Sequence, residues 1–584
     1  MSVAKFRENS EGSQSVKYDK RVGAYSQHKP QKSKHETEDM RCLIFSLLIF
    51  QLVAGHLNVW PIPKSYTMGD QSVIVDSRLK FKTSTESTLL FRIVNRYSDL
   101  IRKTSWTPEF RNDQTSKSSN TTIRLVIISV DHPDEPLGPK TDESYVLDVP
   151  ANSAQPANGN IQITAHTTFG ALRALETLKQ LVELEADGKK VIHFAPLHIE
   201  DAPAFSHRGL LLDTSRNYFP VKDILRTLDG MSMNKLNVFH WHIVDSQSFP
   251  LESKALPELS AKGAYKKKGK SLVYTKSDIQ DIVQYGIERG IRVIPEFDMP
   301  GHTRSIAWSH PELITCVGSD WTKTAAEPPA GQLDPTNPAT YSLIQTLFND
   351  VVPWFSDSYW HAGGDEVNIA CWNSSESIRN WMSQNNEKDW NKLVQTFVGK
   401  VYGMLDHLKR TPMLWEEMVL DFDVTAPAGS VVQVWRGVDA ISKVTAKGYH
   451  TVVSSSDYLY IDCGHGNFVF GGNSWCDPFK TWQMIYNFNP LTNLTAEQSA
   501  LVLGGEVALW TEQTDTNNLD PTVWPRTASA AENFWSGRRD GKGQERTTRE
   551  AFPRLWDQRV RLVEAGIRAA PLQPLYCAEN SCFE

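Results

Sequence analysis

The sequence predicts a (β/α)8 barrel preceded by a small α+β domain. Two patterns carry this. From residue 208 onward, short apolar runs alternate with amphipathic helical stretches, eight times over ~350 residues. No GxGxxG follows any of these runs, which sets aside a doubly wound open sheet. Residues 57–200 show strands and a helix without that repeat, and so form a separate unit.

Residues 1–39 are polar and mixed in charge, as in HKPQKSKHETED (28–39), and are expected to be disordered. From Met40 the chain reads MRCLIFSLLIFQLVAG. Arg41 is a short positive region, Cys42 to Phe50 is apolar, and Val53-Ala54-Gly55 offers small residues for cleavage. Residues 40–55 therefore have the grammar of a secretory signal peptide, too short for a membrane span. Either Met40 is the functional start and residues 1–39 are an upstream extension, or they are the cytoplasmic tail of a signal anchor. The first reading places the protein outside the cell or in a lysosome- or vacuole-like lumen.

In the 57–200 unit, TTIRLVIIS (121–129) and ESYVLDV (143–149) read as strands. FGALRALETLKQLVELEAD (169–187) reads as a helix, with Leu172, Leu175, Leu178 and Leu181 near one face. No chemical motif appears here, so the expected role is support. Pro203 marks a linker, and the barrel is expected over 205–565. Its strands are RGLLLDTS (208–215), KLNVFHWHIVD (235–245), IRVIPEFD (291–298), SYWHAGG (358–364), TPMLWEE (411–417), SVVQVW (430–435), HTVVSSS (450–456) and LVLGGEVALW (501–510). Helices are expected at 221–234 and at 277–290, the latter ending on a glycine.

A net charge of −7 without a basic stripe argues against nucleic acid. With Cys42 in the signal, six cysteines remain and permit 15 connectivities. Closeness in sequence favours Cys463–Cys476 and Cys577–Cys582, the latter in a tail over 566–584, leaving Cys316–Cys371. Asn-X-Ser/Thr sequons at Asn120, Asn373 and Asn493 agree with export and glycosylation.

Active sites of such barrels lie at the C-terminal strand ends. In chain order these ends supply Asp213; His240, His242 and Asp245; Glu296, Asp298 and His302; Asp365 and Glu366; Trp415, Glu416 and Glu417; Trp435 and Arg436; Tyr458, Tyr460 and Asp462; Trp510 and Glu512. A single strand-end acid is more often a helix cap or turn residue, and the 18 tryptophans are first of all core filling. Their joint recurrence is what points elsewhere: carboxylates move protons, tryptophans stack on sugar faces, and together they indicate a glycosidase. His240 and His242 share a strand face, as in metal-dependent hydrolases with Asp298 or Asp365 as a further ligand. The abundance of aromatics disfavours that reading.

The stretch HAGGDEV resembles the catalytic stretch of family 20 glycoside hydrolases, the β-N-acetylhexosaminidases. HRGLLLDTSRNYFP, MNKLNVFHWHIVDSQSFP, VIPEFDMPGH, LWEEM and LGGEVALWTE resemble that family's barrel motifs in order, VWPIPKSY the start of its N-terminal domain, and PLYCAENSCFE its secreted fungal members. The resemblance implies an exo-acting, retaining hydrolysis of chitooligosaccharides or glycoconjugates in which the substrate's own 2-acetamido oxygen attacks the anomeric carbon. It implies no cofactor and no metal, and dimers are common in the family. Glu366 would be the acid/base and Asp365 the partner of the acetamido group, its charge helping to keep Glu366 protonated. Arg208 would bind sugar hydroxyls, Glu512 the C4/C6 side, and Tyr460, with Asp462 beside it, the acetamido carbonyl. Trp415, Trp435 and Trp510 would enclose the acetamido methyl. Asp245, Asp298 and His302 would form a polar network tuning Glu366.

Overall fold

A computed structural model describes residues 57–109, 116–152, 159–579 and 582. The expected extension (1–39) and signal (40–55) lie outside them. Six strands form the first sheet: β1 (Ser65–Thr83), β2 (Lys117–His132), β3 (Tyr145–Val149), β4 (Ile161–Thr167), β5 (Glu183–Leu184) and β6 (Lys190–Asp201). Their order is β1-β2-β4-β3-β6-β5, and β1 also pairs with β6. Helices α1 (Thr88–Lys103) and α2 (Thr168–Leu181) pack against it. The helix read over 169–187 stops at Leu181, because Glu183 and Leu184 pair with Val191 and Lys190.

Eight parallel strands then close a barrel: β7 (His207–Asp213), β8 (Val238–Val244), β9 (Arg292–Phe297), β10 (Tyr359–His361), β11 (Thr411–Trp415), β12 (Val431–Val434), β13 (His450–Val453) and β14 (Val502–Leu509), the last pairing back onto β7. Seven lie within the runs read from the sequence, and β7 begins one residue before its run, at His207. Their residues are almost wholly buried, as expected where helices cover the outer face and side chains fill the inner one. The helix at 221–234 is observed as Val221–Met233, and that at 277–290 as Lys276–Ile287 with Gly290 at φ +66° beyond it.

A buried ion cluster joins sheet and barrel. Glu143 accepts from Arg208 Nη2 at 2.7 Å on both carboxylate oxygens and from Arg173 Nε at 2.8 Å. Cysteines pair as 316–371, 463–476 and 577–582. Among the described residues no helix is long and apolar enough to cross a membrane.

Candidate active site

The C-terminal ends of the barrel strands open into a cavity of about 310 Å³. The turn after β7 supplies its first charge. Asp213 ends the strand and accepts the N–H groups of Ser215 and Arg216 at 2.8 and 3.1 Å, and of Thr511 at 3.1 Å, tying the first strand to the last. The turn so fixed swings Arg216 into the cavity. Its guanidinium lies over the Trp510 ring at 5.0 Å and reaches Glu327 (2.7 Å), Asp245 (3.0 Å) and Glu512 (4.0 Å). Burial opposes its charge, but Asp245, Glu327, Asp213 and Glu512 outweigh burial and hold its pKa well above the ordinary value.

The turn after β10 supplies the acids. Gly363 and Gly364 have φ of +64° and +102°. A Cβ on Gly363 would stand 1.8 Å from Asp298 Oδ1, so only glycine fits there, and Gly364 N–H donates to that same oxygen at 2.8 Å. Glu366 adopts φ +54°, a region that costs a non-glycine residue ~1–2 kcal/mol and is kept where surrounding structure imposes it. It projects into the cavity with His302 Nε2 3.1 Å from its Oε2, and His302 Nδ1 lies 3.2 Å from Asp245 Oδ1.

Asp365 is buried, and its carboxyl is pushed well above the carboxylate range by burial and then by Asp298. Asp298 is itself raised, to about 7, chiefly by burial. Two buried acids side by side cannot both ionise cheaply, so near neutral pH the pair retains a proton. This differs from the sequence expectation of a charged Asp365 beside a protonated Glu366: the nearer carboxylate in space is Asp298, not the neighbour in sequence.

Trp435 and Trp510 line the opposite wall with Tyr460, which stacks on Trp435 at 6.2 Å and 13°. Trp435 Nε1 donates to both oxygens of Glu417 at 2.9 Å. Asp462 lines the cavity and is raised to about 7 by burial, and Glu512 is raised well above its usual range by burial and then by Glu327. Trp415 lies beneath this wall, fully buried, its Nε1 donating to Glu296 at 2.7 Å. Asp245 and Asp298 sit behind His302 and Asp365.

Arg208 does not reach the cavity. It starts β7, so it lies at the opposite end of the barrel, bound to Glu143 and to the carbonyls of Lys235 and Phe205. Arg216, three residues past the strand, stands where Arg208 was expected. The strand-end rule itself favours Arg216, since Arg208 precedes the apolar run. Glu327, Trp321, Phe470 and Trp475 were also not read from the sequence. Glu327, Phe470 and Trp475 sit on loops without periodicity. Trp321 opens a four-residue helix (Trp321–Thr324) and stacks on Phe470 at 5.7 Å across the rim. His240, Glu296 and His361 bring donor atoms within 4.8 Å of one another. The Glu296 carboxylate, however, already faces Trp415, His242, His240 and His361.

Residues 205–538 match the family model described as glycosyl hydrolase family 20, catalytic domain, and residues 59–181 the one described as beta-acetyl hexosaminidase like. The chain is 36% identical to a beta-hexosaminidase of Emericella nidulans, over 91% of this chain and 95% of that one. It is 38% identical to a chitooligosaccharidolytic beta-N-acetylglucosaminidase of Ostrinia furnacalis, over 80% and 79%. Among solved structures, the chitobiase of Flavobacterium johnsoniae superposes with a TM-score of 0.71 at 30% identity, covering 88% of this chain and 73% of that one.

Proposed function

The chain belongs to glycosyl hydrolase family 20, and from that premise we propose that it removes terminal N-acetylhexosamine from chitooligosaccharides or glycoconjugates, with retention. One observation carries the reading. Two consecutive acids enter one cavity with different partners: Glu366 faces His302, which is backed by Asp245, while Asp365 is held against Asp298. The first arrangement suits a group that gives and takes a proton. The second suits a group that accepts an N–H and steadies positive charge as it forms.

In this reading Glu366 protonates the leaving oxygen as the acetamido oxygen attacks C1. Asp365 accepts the acetamido N–H and stabilises the oxazolinium, and Tyr460 donates to the attacking oxygen. Glu366 then takes a proton from the water that opens the ring. Trp435 and Trp510 present flat apolar faces to the sugar, with Trp415 as the layer beneath. Arg216 and Glu512 offer a donor and an acceptor to its hydroxyls.

The test is hydrolysis of an aryl β-N-acetylglucosaminide by Glu366→Gln. At least a thousandfold loss of kcat is expected, and a near wild-type rate would rule the assignment out. Export is part of the proposal, supported by three disulfides and the exposed sequon residues Asn373 and Asn493. The Asn120 side chain lies outside the described part. N-terminal sequencing of secreted protein, expected to begin near residue 56, tests it.

A further inference from the structure

We propose that His242 is a positioning residue for proton transfer at Glu366, and that a column of alternating acids and imidazoles inside the barrel holds it in place. The proposal rests on Glu366 being the acid/base.

The column starts at the cavity and runs down the barrel axis. Below Glu366, His302 and Asp245, the Asp245 Oδ2 lies 2.8 Å from His242 Nε2. His242 Nδ1 is 2.6 Å from Glu296 Oε2, which lies 3.1 Å from His240 Nε2. His240 Nδ1 is 2.7 Å from Glu506 Oε1, and Glu506 Oε2 is 2.9 Å from His207 Nε2. Four carboxylates thus alternate with four imidazoles, and every member from Asp245 to His207 is buried. The barrel builds this from the strand period of two. His240 and His242 face inward one layer apart on β8, and the register sets His242 beside both Asp213 on β7 and Glu296 on β9. Room for Glu506 comes from Gly209, where a Cβ would stand 2.6 Å from its Oε2.

Hydrogen-bond inventory fixes the charge on His242. A neutral imidazole has one donor and one acceptor, yet both ring nitrogens of His242 meet carboxylate oxygens. Only the imidazolium satisfies both. The electrostatics agree: burial opposes the charge, but Glu296 and Asp245 outweigh it and raise His242 to about 10, and His240 is raised to about 9 in the same way by Glu506 and Glu296. His242 therefore fixes Asp245 through Oδ2, leaving Oδ1 for His302. His302 in turn keeps one N–H aimed at Glu366.

The other charges around His242 come from several elements. Arg216, from the turn after β7, has Nη1 3.5 Å from His242 Nε2 and Nη2 3.0 Å from Asp245, and is itself faced by Asp213, Glu327 and Glu512. Asp365 is 3.8 Å from His302 Nε2, and His361 is 3.1 Å from Glu296. Asp298 also faces the charge of His302. Arg216 remains when His242 is changed, so Asp245 stays ionised and the net effect is one positive charge lost near the acid.

The experiment is the pH dependence of kcat and KM for His242→Gln on an aryl β-N-acetylglucosaminide, with melting curves alongside. Expected are a KM within about threefold of wild type, a kcat lower by ~10–100-fold as is usual when a buried orienting partner is lost, and an alkaline limb moved to higher pH by about half a unit or more. Unmoved limbs, or a loss of kcat matched by an equal loss of folded protein, overturn the proposal. A wild type without hydrolysis defeats the underlying reading, and the proposal with it. Should the variant not fold, 15N-histidine spectra of the wild type decide. Of 16 histidines, at least three are expected to stay doubly protonated from pH 5.5 to 8, and fewer than three overturn it.

Discussion

Arg208→Met is expected to weaken the fold while leaving catalysis intact. The guanidinium meets both oxygens of Glu143 at 2.7 Å, the Lys235 carbonyl at 3.0 Å and the Phe205 carbonyl at 2.8 Å, all out of water. Methionine fills most of the volume but leaves Glu143 with Arg173 as its one cation and with Asn237, and strands two carbonyls. Breaking a buried pair from one side costs about 3–5 kcal/mol. Unfolding entropy of ~2.1 cal/mol/K per residue over roughly 520 folded residues is about 1.1 kcal/mol/K, so the melting temperature should fall by about 3–5 °C. At 25 °C, kcat/KM should stay within about threefold of wild type. Arg216→Gln supplies the contrast: it removes the guanidinium that reaches Glu327, Asp245 and Glu512 together, and kcat/KM should fall by two orders of magnitude or more. Scanning calorimetry and steady-state kinetics on both variants check this. An Arg208→Met protein that melts normally yet loses a hundredfold in kcat/KM would refute the placement of Arg208 at the far end of the barrel.

Asp298→Asn removes the charge that, after burial, most raises Asp365; the Asp365 pKa should drop and the acid limb of kcat/KM move to lower pH, and an upward move would contradict the pairing. His240 and His242 are raised to about 9 and about 10 from an unfolded value of ~6.5. A raised folded pKa means their stabilisation is complete below pH ~6.5 and is lost as pH climbs through 9 and 10, so the melting temperature should fall across that window, and a flat profile by scanning calorimetry would count against it. Replacing Cys463 and Cys476 together by serine frees the segment that brings Trp475 to the cavity rim. KM for a disaccharide should rise severalfold with kcat nearly unchanged, and an unchanged KM would mean that Trp475 is held without the bridge.

The barrel was legible because each of its strands is an apolar run bounded by turn residues, and burial on both faces demands that pattern. The first sheet was less so. β1 went unread because Ser65–Thr83 exposes much of one face and bends to pair with both β2 and β6, which breaks strict alternation. α1 carries a readable stripe (Leu90, Ile93, Val94, Tyr97, Ile101) and was simply missed. Within the site, Asp365, Glu366, Trp435, Tyr460, Asp462, Trp510 and Glu512 all line the cavity, since strand ends fix direction as well as position. Arg216 and Glu327 were not found, because each enters from a turn or loop whose course depends on hydrogen bonds that sequence spacing does not encode.

Sequence adjacency gives an incomplete account of the two consecutive acids. Neighbouring residues at φ +54° and beside a glycine pair need not point together, and here they do not. Asp365 turns back toward Asp298, and Glu366 turns out toward His302. Each acid therefore meets its own partner: Asp365 a second carboxylate that, after burial, raises it, and Glu366 the imidazole of His302. The glycines permit this divergence, since any side chain on Gly363 would displace Asp298 and release Asp365 from it. The divergence lets a single turn present two carboxyls to different surroundings, one facing an imidazole backed by Asp245 and one sharing a proton with a second acid.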